Sequence, residues 1–204
     1  MIQSMGLSKT CRHFGAAVII GAGVSGCTTT PKGSSTPRSA NAINLKLFSN
    51  HLGESATITS LDDPDVDRIC RDRIDGTVKS IDPNLVGKLV RIEGKLEEKG
   101  YQSPTFRIVS CFRSERTNEI LREAGGGQAR NSTHTKGEAM DIQVTARYGG
   151  RTVTVPVQDV WDAACEVRKE DGYGGLGRYN ADGFVHVDSR SNISTWGGEC
   201  TYTN

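Results

Sequence analysis

What this sequence lacks narrows its chemistry before any motif is read. No apolar run is long enough to cross a bilayer; the longest, Phe14 to Val24, falls well short of the ~20 residues a spanning helix needs. There is no basic stripe of the kind that follows a phosphate backbone, and a net charge of +1 argues against nucleic acid as a partner. The six cysteines lie far apart, so none forms the short-spaced pairs of a structural zinc ribbon, and none has an evident histidine partner for nucleophilic catalysis. Gly174-Gly175-Leu176-Gly177 lacks the Lys-Ser/Thr ending of a phosphate loop. Histidine is scarce as well: His13, His51, His134 and His186 complete the set.

The N-terminal part reads as an export signal. Lys9 and Arg12 precede the apolar run, which closes on small residues in Val24-Ser25-Gly26-Cys27, a stretch that resembles a bacterial lipobox. Residues 1–26 are therefore expected to be a lipoprotein signal peptide, and Cys27 the lipidated first residue of the mature chain. An ordinary signal peptide with an incidental cysteine is the plainer alternative. Residues 27–41, rich in Thr, Ser and Pro, form a flexible tether. This places the protein on the periplasmic face of a bacterial membrane, held through its lipid alone. Thr28 supplies no inner-membrane retention signal of the aspartate type, which by analogy allows the outer membrane. Lys9 and Arg12 leave with the signal, so 25 basic residues become 23 against 24 acidic ones, and charge says little about partners. In an exported chain the remaining Cys70, Cys111, Cys165 and Cys200 are expected to form two disulfides, with all three connectivities open.

Residues 42–204 form the folded body. Ile43 to Phe48 and Ala56 to Thr59 alternate as the strands of a hairpin around Asn50-His51-Leu52-Gly53-Glu54. Asp63-Pro64 and Asp82-Pro83 each start a helix, with Asp as cap and Pro in the first turn. The second carries Leu85, Leu89, Ile92 and Leu96 on one face and stops at Gly100. Phe106 to Ser110 is a strand, 116–124 a helix ending at Gly125-Gly126-Gly127, and Pro156 opens a helix with Val157, Val160, Trp161, Ala164 and Val167 turned inward. Tyr148-Gly149-Gly150-Arg151 joins two strands of a second hairpin.

The body is organised around Ser132-Thr133-His134-Thr135-Lys136-Gly137-Glu138-Ala139-Met140-Asp141-Ile142. Met140, Ile142 and Val144 alternate with Asp141 and Gln143, so Asp141 points off the apolar face of a strand, and Gly137 lets His134 fold back towards it. Phe184-Val185-His186-Val187-Asp188 is a second alternating strand. If the two lie side by side, His134, Asp141 and His186 converge as three ligands of a catalytic zinc ion with one position left for water. The plainer reading keeps His186 as a half-buried strand histidine, His134 as a loop histidine and Asp141 as a turn partner. His51 is a candidate fourth ligand, or a turn histidine bonded to nearby backbone. Arg113, at the end of a strand, suits a carboxylate, either a substrate's or a neighbour's.

Taken in order, Asn50-His51-Leu52-Gly53-Glu54, Arg71-Asp72, Ile81-Asp82-Pro83, Ser110-Cys111-Phe112-Arg113-Ser114, Thr117-Asn118, the His134–Asp141 stretch, Gly174-Gly175-Leu176-Gly177, Phe184 to Asp188 and Trp196 resemble the MepK-type murein endopeptidases. That family is related to the VanX and VanY D-Ala-D-Ala peptidases and the Hedgehog zinc domain. The resemblance implies a small α+β domain with an antiparallel sheet and helices packed mainly on one face. It implies zinc bound by His134, Asp141 and His186, a substrate contact at Arg113, and hydrolysis of peptide cross-links in peptidoglycan by a monomer. Three departures accompany it. Cys111-Phe112-Arg113 stands where the family has Gly-Tyr-Arg. The hairpin through Gly149-Gly150 is inserted and is expected to reshape one wall of the cleft. VanX-type enzymes carry an acid at the position of Gly183; here Asp182 is the candidate proton acceptor, with a solvated loop aspartate as its alternative, and Asp188 is assigned to orient His186 from behind. The missing acid leaves room for a rival, a non-catalytic peptidoglycan- or partner-binding lipoprotein that keeps the site; a metal-independent structural protein is a third.

Overall fold

The computed structural model describes residues 42–200; the expected signal segment, Cys27 and the tether to residue 41 lie outside them. Strands β1 (Leu45–Ser49) and β2 (Glu54–Ile58) form the first hairpin. Helix α1 (Pro64–Ile69) is capped by Asp63, whose carboxylate accepts from the Asp65 amide, and α2 (Pro83–Glu98) is capped in the same way by Asp82. Next come β3 (Gln102–Ser110), α3 (Glu115–Glu123), a single 3₁₀ turn (Thr133–Lys136), β4 (Ala139–Tyr148), β5 (Arg151–Thr154) and α4 (Val157–Asp171). The strands β6 (Gly174–Tyr179), β7 (Phe184–Asp188) and β8 (Ile193–Trp196) close the described chain.

The sheet corrects one expectation. It has eight strands and is mixed, in the order β2-β1-β3-β4-β7-β6-β8, with β5 hydrogen-bonded to β4 off that path. β1 runs parallel to β3 and β6 parallel to β8, so it is neither small nor purely antiparallel. The cause lies in the connections: β2, α1 and α2 intervene between β1 and β3, and β7 between β6 and β8, so neither parallel pair is joined by the tight turn that would reverse the chain. The α+β class stands.

One face of the sheet makes the core. Leu45, Leu47, Phe106, Ile108, Met140, Ile142, Val144, Val185 and Val187 pack with Leu85, Leu89, Ile92 and Leu96 of α2 and Trp161, Ala164 and Val167 of α4. Val66 and Ile69 of α1 join the same cluster, whereas α3 contributes no side chain to it. Burying one face frees the other for chemistry, because alternate residues on each strand point away from the helices. The two disulfides are Cys70–Cys111 and Cys165–Cys200.

The Gly149-Gly150 hairpin turns with both glycines at positive φ, 58° and 80°. It departs from the expectation that it shapes the cleft. β4 pairs with β7 over Ala139–Ile142 and with β5 only over Thr145–Tyr148, which carries the hairpin away from the functional end.

Candidate metal centre

Asp141 and His186 face each other directly in the antiparallel β4–β7 ladder, so both project from the face opposite the core. The rung continues through Ser110 of β3 on one side and, on the other, Gly177 of β6 and Trp196 of β8. His134 reaches the same point from the 3₁₀ turn. Gly137 ends that turn at φ +78°, and a Cβ there would lie 2.5 Å from the Ser80 carbonyl oxygen, so glycine is required for this approach.

The donor atoms converge. His134 Nε2 lies 3.3 Å from His186 Nδ1 and 3.4 Å from Asp141 Oδ2, and His186 Nδ1 lies 2.8 Å from Asp141 Oδ1. Ligands about 2.0–2.1 Å from a tetrahedral zinc ion stand about 3.3–3.4 Å apart, which is close to this spread. The hydrogen bonds behind the rings say which nitrogens face inward. His134 Nδ1–H donates to the Cys111 carbonyl at 2.7 Å, leaving Nε2 as a lone pair. His186 Nε2–H donates to Asp188 Oδ2 at 3.1 Å, which turns Nδ1 towards the cluster. Two ring nitrogens and a carboxylate therefore aim lone pairs at one point, and a cation satisfies all three together where one proton cannot. The residues fit a divalent metal ion.

Charge follows from this crowding. Burial pushes the His134 pKa down, against the pull of Asp141. Burial also disfavours the charged form of His186, but the carboxylates of Asp141 and Asp188 on its two sides outweigh it and raise its pKa. Asp141 ends well below the ordinary carboxylate range, because the two imidazoles overcome the cost of its burial.

Asp188 is wholly buried and held on all sides. Its carboxylate accepts from His186, the Gly175 amide (2.6 Å), Arg190 Nε (2.7 Å) and Thr133 Oγ1 (3.3 Å). A Cβ on Gly175 would come within 2.5 Å of it, which gives the glycines of β6 their purpose. Gly177 has a matching one: the Trp196 indole lies across it, 5.0 Å from the His186 ring, and donates Nε1–H to the Tyr179 hydroxyl.

The cluster lies in the floor of a cleft of about 520 Å³. Arg113 and Ser132 line it on the β3 side, and Tyr179, Phe184 and Trp196 on the β6 and β8 side. Arg113 donates one side-chain hydrogen bond, to Ser132 Oγ, while its Nε is buried without a partner. Burial lowers its pKa, with Asp141 as the main opposing charge. Asp182 lines the cleft from the exposed β6–β7 turn; its backbone carbonyl accepts from Gln143. Asp141 and Asp182 are the two acids among the residues lining the cleft. His51 lies elsewhere, bonded through Nε2–H to the Val109 carbonyl.

Residues 38–196 match the family described as peptidoglycan L,D-endopeptidase MepK. The chain belongs to that family. It is 32% identical over 153 residues to the peptidoglycan L,D-endopeptidase MepK of Escherichia coli K12, covering 71% of this chain and 75% of that protein. It is also 32% identical over 133 residues to the probable MepK of Haemophilus influenzae, covering 65% and 63%. No solved structure matches it. The MepK name of these relatives specifies an L,D bond, a choice among cross-links that the sequence alone left open.

Within this MepK-family domain, sequence reasoning missed Asp72, Thr133 and Arg190. Asp72 is 1% exposed and accepts from the Ile74, Asp75 and Ser114 amides and from Thr117 Oγ1. Its only sequence signal was the place of Arg71-Asp72 among the family segments. Arg190, two residues beyond Asp188, had none.

Proposed function

We propose that this protein is an exported zinc peptidase that hydrolyses an amide in the peptide cross-links of peptidoglycan, an L,D bond in keeping with its MepK relatives. The observation that carries the reading is the convergence of His134 Nε2, Asp141 and His186 Nδ1 in the floor of an open cleft. Those three residues would hold the metal. Zinc bound there supplies a Lewis acid that polarises a carbonyl and makes water acidic enough to attack near neutral pH.

The chain's own groups do the rest. Asp188 fixes the tautomer and direction of His186. Arg113, with its unpartnered Nε, takes a substrate carboxylate or the oxyanion that forms on the attacked carbonyl. Asp182 accepts a proton from the attacking water and returns it to the leaving amine. The walls of Tyr179, Phe184 and Trp196 give the peptide an apolar surface beside the charged one. In the cell, a lipid on Cys27 and the tether behind it hold this domain near, and not in, the membrane; among the described residues no helix is long and apolar enough to cross one.

A second reading has one observation in its favour. Gly183, where VanX-type relatives place an acid, has φ +75° and no side chain, and Asp182 sits exposed in a turn. A protein that binds peptidoglycan without turnover fits that arrangement. Purified mature protein, incubated with zinc and cross-linked muropeptides, separates the two. Products that vanish in His186→Ala and with chelator support the peptidase; binding with no product supports the rival.

A further inference from the structure

The Cys70–Cys111 disulfide does more than close a loop. β3 leaves the ladder at Ser110, after a register shift between Ile108 and Ser110, so the backbone from Cys111 onward has no strand to hold it. Yet this short segment grips the metal cluster. The Cys111 carbonyl accepts from His134 Nδ1–H, and the Arg113 amide donates back to the His134 carbonyl at 3.2 Å. Arg113 itself lines the cleft one residue further on from Phe112. Beyond the packing of Cys111 and Phe112 in the core, the chain around residues 70–72 holds the segment: the disulfide from Cys70, and Asp72, whose Oδ2 accepts from the Ser114 amide at 2.7 Å. Both sulfur-bearing residues are buried, at 1% and 6% exposure.

We propose that Cys70 and Cys111 are positioning residues: their disulfide aims His134 Nε2 and the Arg113 guanidinium at the site, so metal binding depends on the oxidised state of this one bridge. This rests on the proposed metal centre. Reduction by a dithiol cleaves the S–S bond, leaves a thiol on each cysteine and converts the dithiol to its cyclic disulfide. The Cys111 carbonyl is then tethered from one side only, and His134 Nδ1–H loses a fixed acceptor. Losing such an outer partner of a ligand histidine costs about 10- to 100-fold in metal affinity.

Cys165–Cys200 provides the control. The two bridges span 41 and 35 residues, so chain-entropy constraint on the unfolded state is nearly the same for both. Zinc affinity by chelator competition and thermal midpoint are measured for the wild type, for Cys70→Ala/Cys111→Ala and for Cys165→Ala/Cys200→Ala. The expected result is a comparable fall in thermal midpoint for both double variants, with the affinity loss of about 10- to 100-fold confined to the first. If the first fails to fold, the bridge is opened by graded dithiol in the metal-free, folded Cys165→Ala/Cys200→Ala protein, and the dithiol, itself a zinc chelator, is removed without air before zinc is added. Zinc affinity should then fall as the free thiols of Cys70 and Cys111 rise, while circular dichroism stays unchanged. Equal affinity in both variants, or affinity unchanged after the bridge opens, overturns the proposal. A wild type that binds no zinc overturns the metal centre itself, which is a separate outcome.

Discussion

Asp188 shows how much one buried carboxylate can be asked to do. It has no solvent exposure, and burial works against its charge, but hydrogen bonds from His186, Arg190 and the Gly175 amide keep its pKa below the ordinary carboxylate range. An Asp188→Asn side chain keeps the shape and offers one oxygen where two accept now. Zinc affinity is expected to fall about 10- to 100-fold, read by competition with a chromogenic chelator. Tyr101 gives a pH prediction remote from the site. Its hydroxyl donates to Asp159 Oδ2 at 2.7 Å, and burial, with Asp159 second, raises its pKa to about 12. The folded protein holds this proton more tightly than the unfolded chain, whose tyrosine titrates near pH ~10. The stabilisation is thus complete below about pH 10 and disappears between about 10 and 12. Tyr101→Phe should flatten the fall in denaturant midpoint over that window; an unchanged slope would show that another group governs it.

At the scale of elements, β6 is the strand with least freedom to change. Gly177→Ala would put a methyl group 2.2 Å from Trp196 Nε1, and the indole must leave either the glycine or the His186 ring. Overpacking of this kind costs about 1–3 kcal/mol, measurable by urea denaturation, and the displaced wall should weaken substrate binding more than zinc binding. Elements differed in how far the sequence revealed them. Asp63-Pro64 and Asp82-Pro83 mark the starts of α1 and α2, and β7 covers the five residues read from alternation alone, because capping and periodicity are local properties. β8 went unread: Ile193 to Trp196 has no buried apolar face, and its pairing with β6 is the only thing that makes it a strand. Strand order was not legible either. Alternation says which face a residue takes and is silent about the neighbouring strand, which is why the triad was legible only on condition that two strands lie together. What lies against Gly175 and Gly177, a carboxylate and an indole, depends on contacts remote in sequence.

For the whole molecule, the division of labour is between a helix-covered face that makes the core and an opposite face that carries the candidate metal cluster. The proposed lipid anchor would add a third component. If Cys27 carries lipid, Cys27→Ala expressed in a bacterial host should move the protein from the membrane pellet to the soluble extract with its zinc content intact; retention in the pellet would contradict the anchor. Asp141 and His186 sit on opposite rungs of one ladder, so their separation is inherited from main-chain pairing and from nothing at the rim. Segments such as 125–131 carry no such duty although Gln128, Ala129 and Asn131 border the cleft. Evolution can therefore rewrite the rim, and with it the choice of peptide, while the ion's seat passes unchanged from one descendant to the next.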